Sequence, residues 1–385
     1  MTFRPAAIAE KILRIEGMRV NSVCVIGGSG FVGRHIAHQL ADFGIRVHLP
    51  TRHRERAKQL IVLPTVDVIT ADVNDPATLS RLVAGIDAVD ITADPVQIRT
   101  LKQDPAVYAS KLAALLGNPP GSADVAISAL SEEGTVADGQ VVSLAGILHQ
   151  RRKRDFARIH AELPRKIVEA CREQGVRRLL HVSALGAAHD APSEYLRSKA
   201  GGEQQIRVAQ AAGIRTTIFR PSVIFGREDS FLNLFARLVR SLPVIVLASP
   251  QARFQPVFVE DVAHAVVLSL GEARTADQSY ELCGPGIFTL QELVEYVCRV
   301  LGVERPIIPL NDPLSYLQAW MMEWLPVKLM TRDNYYSMKV DSVCACPFPR
   351  VFGFEPTPLE AVVPLYLAEN IPRARYRWFR FRARR

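Results

Sequence analysis

The sequence predicts an α/β fold: a doubly wound, mainly parallel sheet covered by helices, with a smaller C-terminal α/β lobe. Three observations carry this. A glycine-rich turn, "VIGGSGFVG", separates a short β-favouring run from an amphipathic stretch near the start of the chain. Strand-like and helix-like segments then alternate as far as Gly226. Beyond Gly226 the alternation weakens into mixed helices and short strands.

The elements follow in order. The first strand begins near Val23, and the helix after the turn can present Ile36, Ala37 and Leu40 to a sheet. "GIRVHL" opens the second strand, "VDVITADV" is the third, and a helix begins near Pro76. "AGIDAV", ending at Val89, reads as the approach to a central strand that "VVSLAGIL" continues from Val141. Between them, residues 90–140 hold seven acids against three basic residues and read as a surface insertion, with one short helix in "PAVYASKLAALLG". "VRRLLHVSALG" and "IRTTIFRPSVIFG" supply two more strands around an intervening helix. In "FTLQELVEYVCRVLG", Thr289 and Glu292 have capping-box spacing. The expected organisation is an N-terminal extension (1–20), a nucleotide domain (21–226, with its insertion), a lobe (227–370) partly returning to that domain, and a tail (371–385). Residues 1–17 read either as an amphipathic helix or, preferably, as leader sequence ahead of a start at Met18; Glu10 and Glu16 argue against a targeting role.

Charge and cysteine usage narrow the classes. Net charge is +8, but residues 371–385 contain seven arginines and no acid, leaving about +1 elsewhere, so nucleic-acid binding is disfavoured. The six cysteines show neither zinc spacing nor a disulfide framework and read as reduced structural residues, with no metal site. Without a run of about 18 apolar residues, the chain reads as cytoplasmic or peripheral to a membrane.

The turn places Gly27, Gly28, Ser29, Gly30, Phe31, Val32 and Gly33 where a strand passes into a helix. Small residues let a pyrophosphate approach the backbone, and the helix start offers N–H groups and a favourable dipole. This is the dinucleotide site of a Rossmann-like domain. The second strand ends at Thr51, Arg52 and Arg54 rather than at an acid, which favours NADP(H) over NAD(H) through a charge-assisted contact to a 2′-phosphate. Asp72 and Val73 are placed beside the adenine by fold analogy, although Asp72 could instead cap the turn before Pro76. Ala145 and Gly146 complete the cofactor set on the central strand.

Ser183, Tyr195 and Lys199 form the candidate reaction centre. Tyr195 and Lys199, four apart, share a helix face, where an ammonium would favour the phenolate and Ser183 could hold a carbonyl oxygen. A site that only binds nucleotide stays open: Tyr195 packs and Lys199 holds ribose.

These residues make the chain resemble an extended or atypical short-chain dehydrogenase/reductase. The resemblance implies a tyrosine acid/base, a lysine on ribose, and Arg220, Pro221 and Val223 of "RPSVIFG" beside nicotinamide and substrate. "YLRSKAGGEQ", "FRPSVIFGREDSFLNLFARL", "RFQPVFVEDVA" and "LMTRDNYYSMKVDSV" are similar to the NAD(P)H-binding accessory subunit nine of respiratory complex I and its bacterial homologues. That narrower likeness implies a structural or assembly role near quinone and membrane, with complex I or a related complex as partner. The alternatives are an independent NADP-dependent reductase, dehydrogenase or nucleotide-sugar epimerase acting on a quinone, carbonyl or sugar substrate, and a redox-sensing binding module. Gly201 and Gly202 depart from a strong helix and would either admit close cofactor packing or loosen the pair. The tail's interleaved arginines and aromatics read either as a disordered solubilising segment or as a docking segment for an anionic membrane surface or a protein.

Overall fold

The computed structural model describes residues 20, 22–84, 140–144, 146, 154–325 and 329–368. Residues 1–19 of the N-terminal extension, "AGIDAV" after Ala84, the insertion up to residue 139, Ala145 and the arginine tail lie outside the described residues. Gln140 is not insertion: it opens a buried central strand.

Seven parallel strands form the main sheet: β1 (Ser22–Ile26), β2 (Arg46–Thr51), β3 (Val66–Thr70), β4 (Gln140–Ser143), β5 (Arg178–Val182), β6 (Arg215–Pro221) and β11 (Gln278–Leu282). Their spatial order is β11-β6-β5-β4-β1-β2-β3. The order reverses between β1 and β4, which pair in register from Val23↔Gln140 to Ile26↔Ser143. Crevices beyond the carboxyl ends of strands at such a reversal are where ligands bind in open α/β sheets. β1, β4 and β5 are buried throughout, as strands covered on both faces must be.

Helices α1 (Phe31–Asp42) and α7 (Val259–Gly271) cover one face, with Ile36, Ala37 and Leu40 buried beside Val262 and Val266. On the other face, α3 (Pro76–Ala84), α4 (Leu163–Glu173) and α5 (Glu194–Ala211) bury Leu79, Ile167 and Ile206. Both α7 and β11 come from residues after 226, so the chain crosses into the C-terminal lobe and returns. That lobe has its own core around α6 (Leu232–Ser241), β8 (Ile245–Leu247) and α8 (Leu290–Leu301). Helix α8 carries the capping box of Thr289 and Glu292 and ends at Gly302, whose φ of 66° requires the left-handed region. Two further helices, α9 (Asp312–Met322) and α10 (Arg332–Ser337), follow in the lobe, and the short elements α2 (Lys58–Ile61), β7 (Ile224–Phe225), β9 (Arg253–Phe254) and β10 (Val257–Phe258) fill the places between those already given.

The cysteine reading needs one correction. Cys283 and Cys344 form a disulfide across 61 residues. The pairing is non-local and has no spacing signature: the end of β11 meets a segment returning from α10. Gln255 spans the same junction, donating to the Gly284 carbonyl and accepting from the Cys344 N–H. Cys24, Cys171 and Cys298 are buried thiols and Cys346 an exposed one.

Candidate nucleotide-binding and reaction site

A cavity of about 800 Å³ lies beyond the carboxyl ends of β1, β4 and β5 and continues into the C-terminal lobe. At its nucleotide end, Gly27, Ser29, Gly30, Phe31, Val32 and Gly33 line the wall. Gly28 does not: a methyl there would meet the Leu49 side chain at 2.7 Å, so Gly28 serves packing behind the turn. A methyl on Gly33 would lie 2.4 Å from the Gly28 Cα, so that pair sets how closely α1 approaches β1. Gly30 caps α1 without any side-chain hydrogen bond, leaving the first N–H groups of the helix to the cavity. An uncapped helix start between close-packed glycines fits a pyrophosphate.

Thr51 is buried at the end of β2, its hydroxyl 3.4 Å from the Ser29 Oγ, and it lines the cavity with Arg52 and His53. The arginines divide. Arg52 lines the cavity and Arg54 does not; Arg56, two residues on, takes that place. The short 3₁₀ turn Arg54–Ala57 produces this selection, and an extended reading of "TRHRERAK" could not register it. Val73 lines the wall, whereas Asp72 turns away to accept hydrogen bonds from the Asn74 N–H at 3.1 Å and side chain at 2.6 Å. Those bonds hold its carboxyl below the usual range, with Arg52 a smaller contributor.

Ser183, Tyr195 and Lys199 line the same cavity. Ser183 stands just past β5, with its N–H bonded to the Phe219 carbonyl and its buried Oγ lacking a partner among the described residues. A buried hydroxyl left in this state has a hydrogen bond in reserve for a ligand. Lys199 is 6% exposed and donates to the Val182 carbonyl at 3.2 Å. A methyl on Gly146 would reach within 3.2 Å of its Nζ, so Gly146 clears room for the lysine head as well as lining the cavity.

The electrostatics differ from the expected activated phenolate. Burial, reinforced by the Asp333 carboxylate, pushes Tyr195 up to about 12. Burial pulls Lys199 down to about 8 against the opposing pull of Glu203. Charge is penalised on both groups, and the tyrosine stays protonated at neutral pH.

Three neighbours were not legible. Phe156 and His160 place their rings 5.9 and 5.6 Å from the Tyr195 ring, edge-on. His160 arrives on a π-helical turn, Ala157–Glu162, and its Nδ1 is 2.8 Å from the Ser198 Oγ. Gly202 makes this approach available, since a methyl there would sit 2.2 Å from the His160 carbonyl oxygen. Gly202 therefore admits a neighbouring backbone segment, not a cofactor, while Gly201 would meet only the Ala161 methyl at an ordinary 3.5 Å. Asp333 is the third: its carboxylate accepts from the N–H groups of Glu194 and Tyr195 and fixes the start of α5, alongside the Ser193 cap.

Arg220 lies away from the cavity. Its guanidinium forms a two-pronged pair with the buried Glu203 carboxylate at 2.8 and 2.5 Å, while Pro221 and Val223 line the wall. Glu203 is one helical turn beyond Lys199 and opposes the downward shift of its ammonium, so the Arg220–Glu203 pair stands behind the site rather than in its wall.

A Rossmann sheet with an uncapped glycine turn opening into a cavity defines the class as a dinucleotide-binding protein. The chain belongs to the NAD(P)H-binding family, whose profile matches residues 27–230. It is 34% identical over 247 residues to NADH dehydrogenase [ubiquinone] 1 alpha subcomplex subunit 9 of Mus musculus, covering 62% of this chain and 63% of that one. The chain thus spans less than two thirds of that relative's length. It is 26% identical over 297 residues to the ceramide reductase of Caulobacter vibrioides, covering 76% and 74% of the two chains. Among solved structures, the NADPH-dependent quinone oxidoreductase QOR2 of Escherichia coli shares the fold with a TM-score of 0.59 at 16% identity, covering 89% and 99%.

Proposed function

We propose that this protein is an NAD(P)H-dependent reductase of a carbonyl compound with an apolar body. The observation that carries this reading is the continuity of one cavity: the glycine turn, Ser183, Tyr195 and Lys199 open onto the same space as an apolar wall from the C-terminal lobe. When bound, NAD(P)H would supply a hydride to the carbonyl carbon. Tyr195, protonated at neutral pH, gives its proton to the carbonyl oxygen, and Ser183 donates a hydrogen bond to that oxygen. The products are the alcohol and NAD(P)⁺, and Tyr195 is reprotonated from solvent. Lys199, whose ammonium head has room because position 146 is glycine, would hold ribose hydroxyls. Arg52 and Arg56 favour a 2′-phosphate and hence NADP(H).

An apolar wall offers few partners to sugar hydroxyls, which argues against a nucleotide-sugar epimerase. The identity with a ceramide reductase over three quarters of the chain supports reduction as the direction of chemistry. The test is NADPH oxidation by purified protein across ketones, aldehydes and quinones. Turnover should fall about 10²- to 10⁴-fold in Tyr195→Phe with nucleotide affinity retained. Turnover unchanged in that variant would remove Tyr195 from its role; no turnover with any carbonyl class would remove the reductase reading.

A second reading, an accessory subunit held in a respiratory complex, is favoured by the identity with the mouse subunit over 62% of the chain. Here the nucleotide would stabilise the domain by linkage rather than react. Co-purification under gentle detergent tests it, and reproducible absence from respiratory complexes would count against it. Among the described residues no helix is long and apolar enough to cross a membrane.

A further inference from the structure

We infer that the C-terminal arm of the cavity is a channel for a long hydrocarbon chain borne by the carbonyl substrate. This rests on the reductase reading and names its substrate class. Helix α6 contributes Leu234, Phe235 and Leu238 to the wall, β8 contributes Val246, and the segments around α9 and α10 contribute Met322 and Met338. Thioether side chains are unbranched and adaptable, and they accommodate a flexible chain better than a rigid ring system would require.

Polarity along the cavity is distributed as an amphiphile needs. Some of the polar side chains interspersed in the arm are engaged with protein groups. Gln318 donates to the Val246 carbonyl at 2.9 Å, Asn334 accepts from the Thr331 N–H and hydroxyl, and Asp341 lies 3.8 Å from Arg253. Among the cavity-lining side chains, Ser183 offers a buried hydroxyl without a partner among the described residues, and it is at the opposite, catalytic end. A carbonyl oxygen is thus recognised at one end and hydrocarbon at the other. Water in the arm would find few partners, and each methylene that replaces it should tighten binding about fourfold.

The experiment uses the full chain loaded with NADPH and a fluorescent polyene fatty acid as probe. Straight-chain methyl ketones of increasing length and a prenylated benzoquinone compete with the probe below their aggregation concentrations. Displacement by the ketones should strengthen about fourfold per methylene and then level off where the arm is full. Stronger displacement by the prenylated quinone than by any ketone would assign the channel to a branched isoprenoid chain. Leu238→Trp should bring the plateau to shorter chains with NADPH affinity unchanged; Met338→Trp, on another wall, repeats the test should the first variant fail to fold. Absence of saturable probe binding, or displacement independent of chain length, would overturn the channel. Probe displacement without any NADPH oxidation would keep the channel and overturn the reductase reading instead.

Discussion

The carboxylate of Asp333 accepts a hydrogen bond from the backbone N–H of Tyr195 at 3.2 Å, across 138 residues of sequence. A second bond, from the Glu194 N–H at 2.6 Å, makes Asp333 an external cap for the helix that carries both Tyr195 and Lys199. The C-terminal lobe therefore positions the candidate proton donor directly.

Replacing Asp333 by Asn should cost about 1–2 kcal/mol of stability, as loss of a charged helix cap does, read from denaturant midpoints. Because the carboxylate also pushes the Tyr195 phenol upward, the same change should lower that titration. Phenolate absorbance, assigned by comparison with Tyr195→Phe, reads the shift. An unmoved titration would limit Asp333 to capping.

Lys199 gives a pH signature. Its folded value, about 8, lies below the ordinary lysine value of 10.5, so the unfolded chain binds the proton more tightly. The penalty for burying the ammonium is full below pH 8 and is relieved as pH rises. Stability should therefore increase between pH 8 and pH 10 from this group, with an upper bound of about 3 kcal/mol over the whole shift. Lys199→Met should be more stable than the parent at neutral pH and lose that slope in calorimetric melts.

The paired glycines separate two kinds of close packing. Gly202→Ala places a methyl 2.2 Å from the His160 carbonyl oxygen and should destabilise by at least about 2 kcal/mol. Gly201→Ala meets the Ala161 methyl at an ordinary 3.5 Å and should be neutral or stabilising by up to about 1 kcal/mol. Equal melting temperatures for the two variants would refute the π-turn contact.

Nucleotide choice should depend on Arg52 and Arg56 and not on Arg54. Alanine at either cavity-lining arginine should weaken NADPH about tenfold while leaving NADH nearly unchanged, measured by calorimetry. Arg54→Ala should change neither, because that side chain does not line the cavity.

The Cys283–Cys344 bond closes a separation of 61 residues, and in the chain-entropy model such a loop contributes about 4 kcal/mol. Reductant should lower the melting temperature of the parent but not of the doubly Ser-substituted chain. Thiol labelling with mass analysis of the native protein reads the bond itself.

The sequence alone determined the parts of this protein that depend on near neighbours along the chain. Strand-turn-helix punctuation at Gly27–Gly33, the capping box at Thr289, the buried stripe of Ile36, Ala37 and Leu40, and the four-residue spacing of Tyr195 and Lys199 all follow from local periodicity and backbone sterics. They sufficed for the doubly wound sheet and for the place where a dinucleotide would lie. Only the tertiary structure decided which of the candidates face one another. Arg220 turns to Glu203, Asp72 closes its own turn, Arg56 displaces Arg54, and Asp333 and His160 enter from segments remote in sequence from the helix they meet. Packing and burial are properties of distant segments meeting, and burial shifts the titrations of Tyr195 and Lys199 toward each group's neutral form. The spacing of two side chains on a helix specifies that they are neighbours; the surrounding dielectric specifies how readily each gives up its proton.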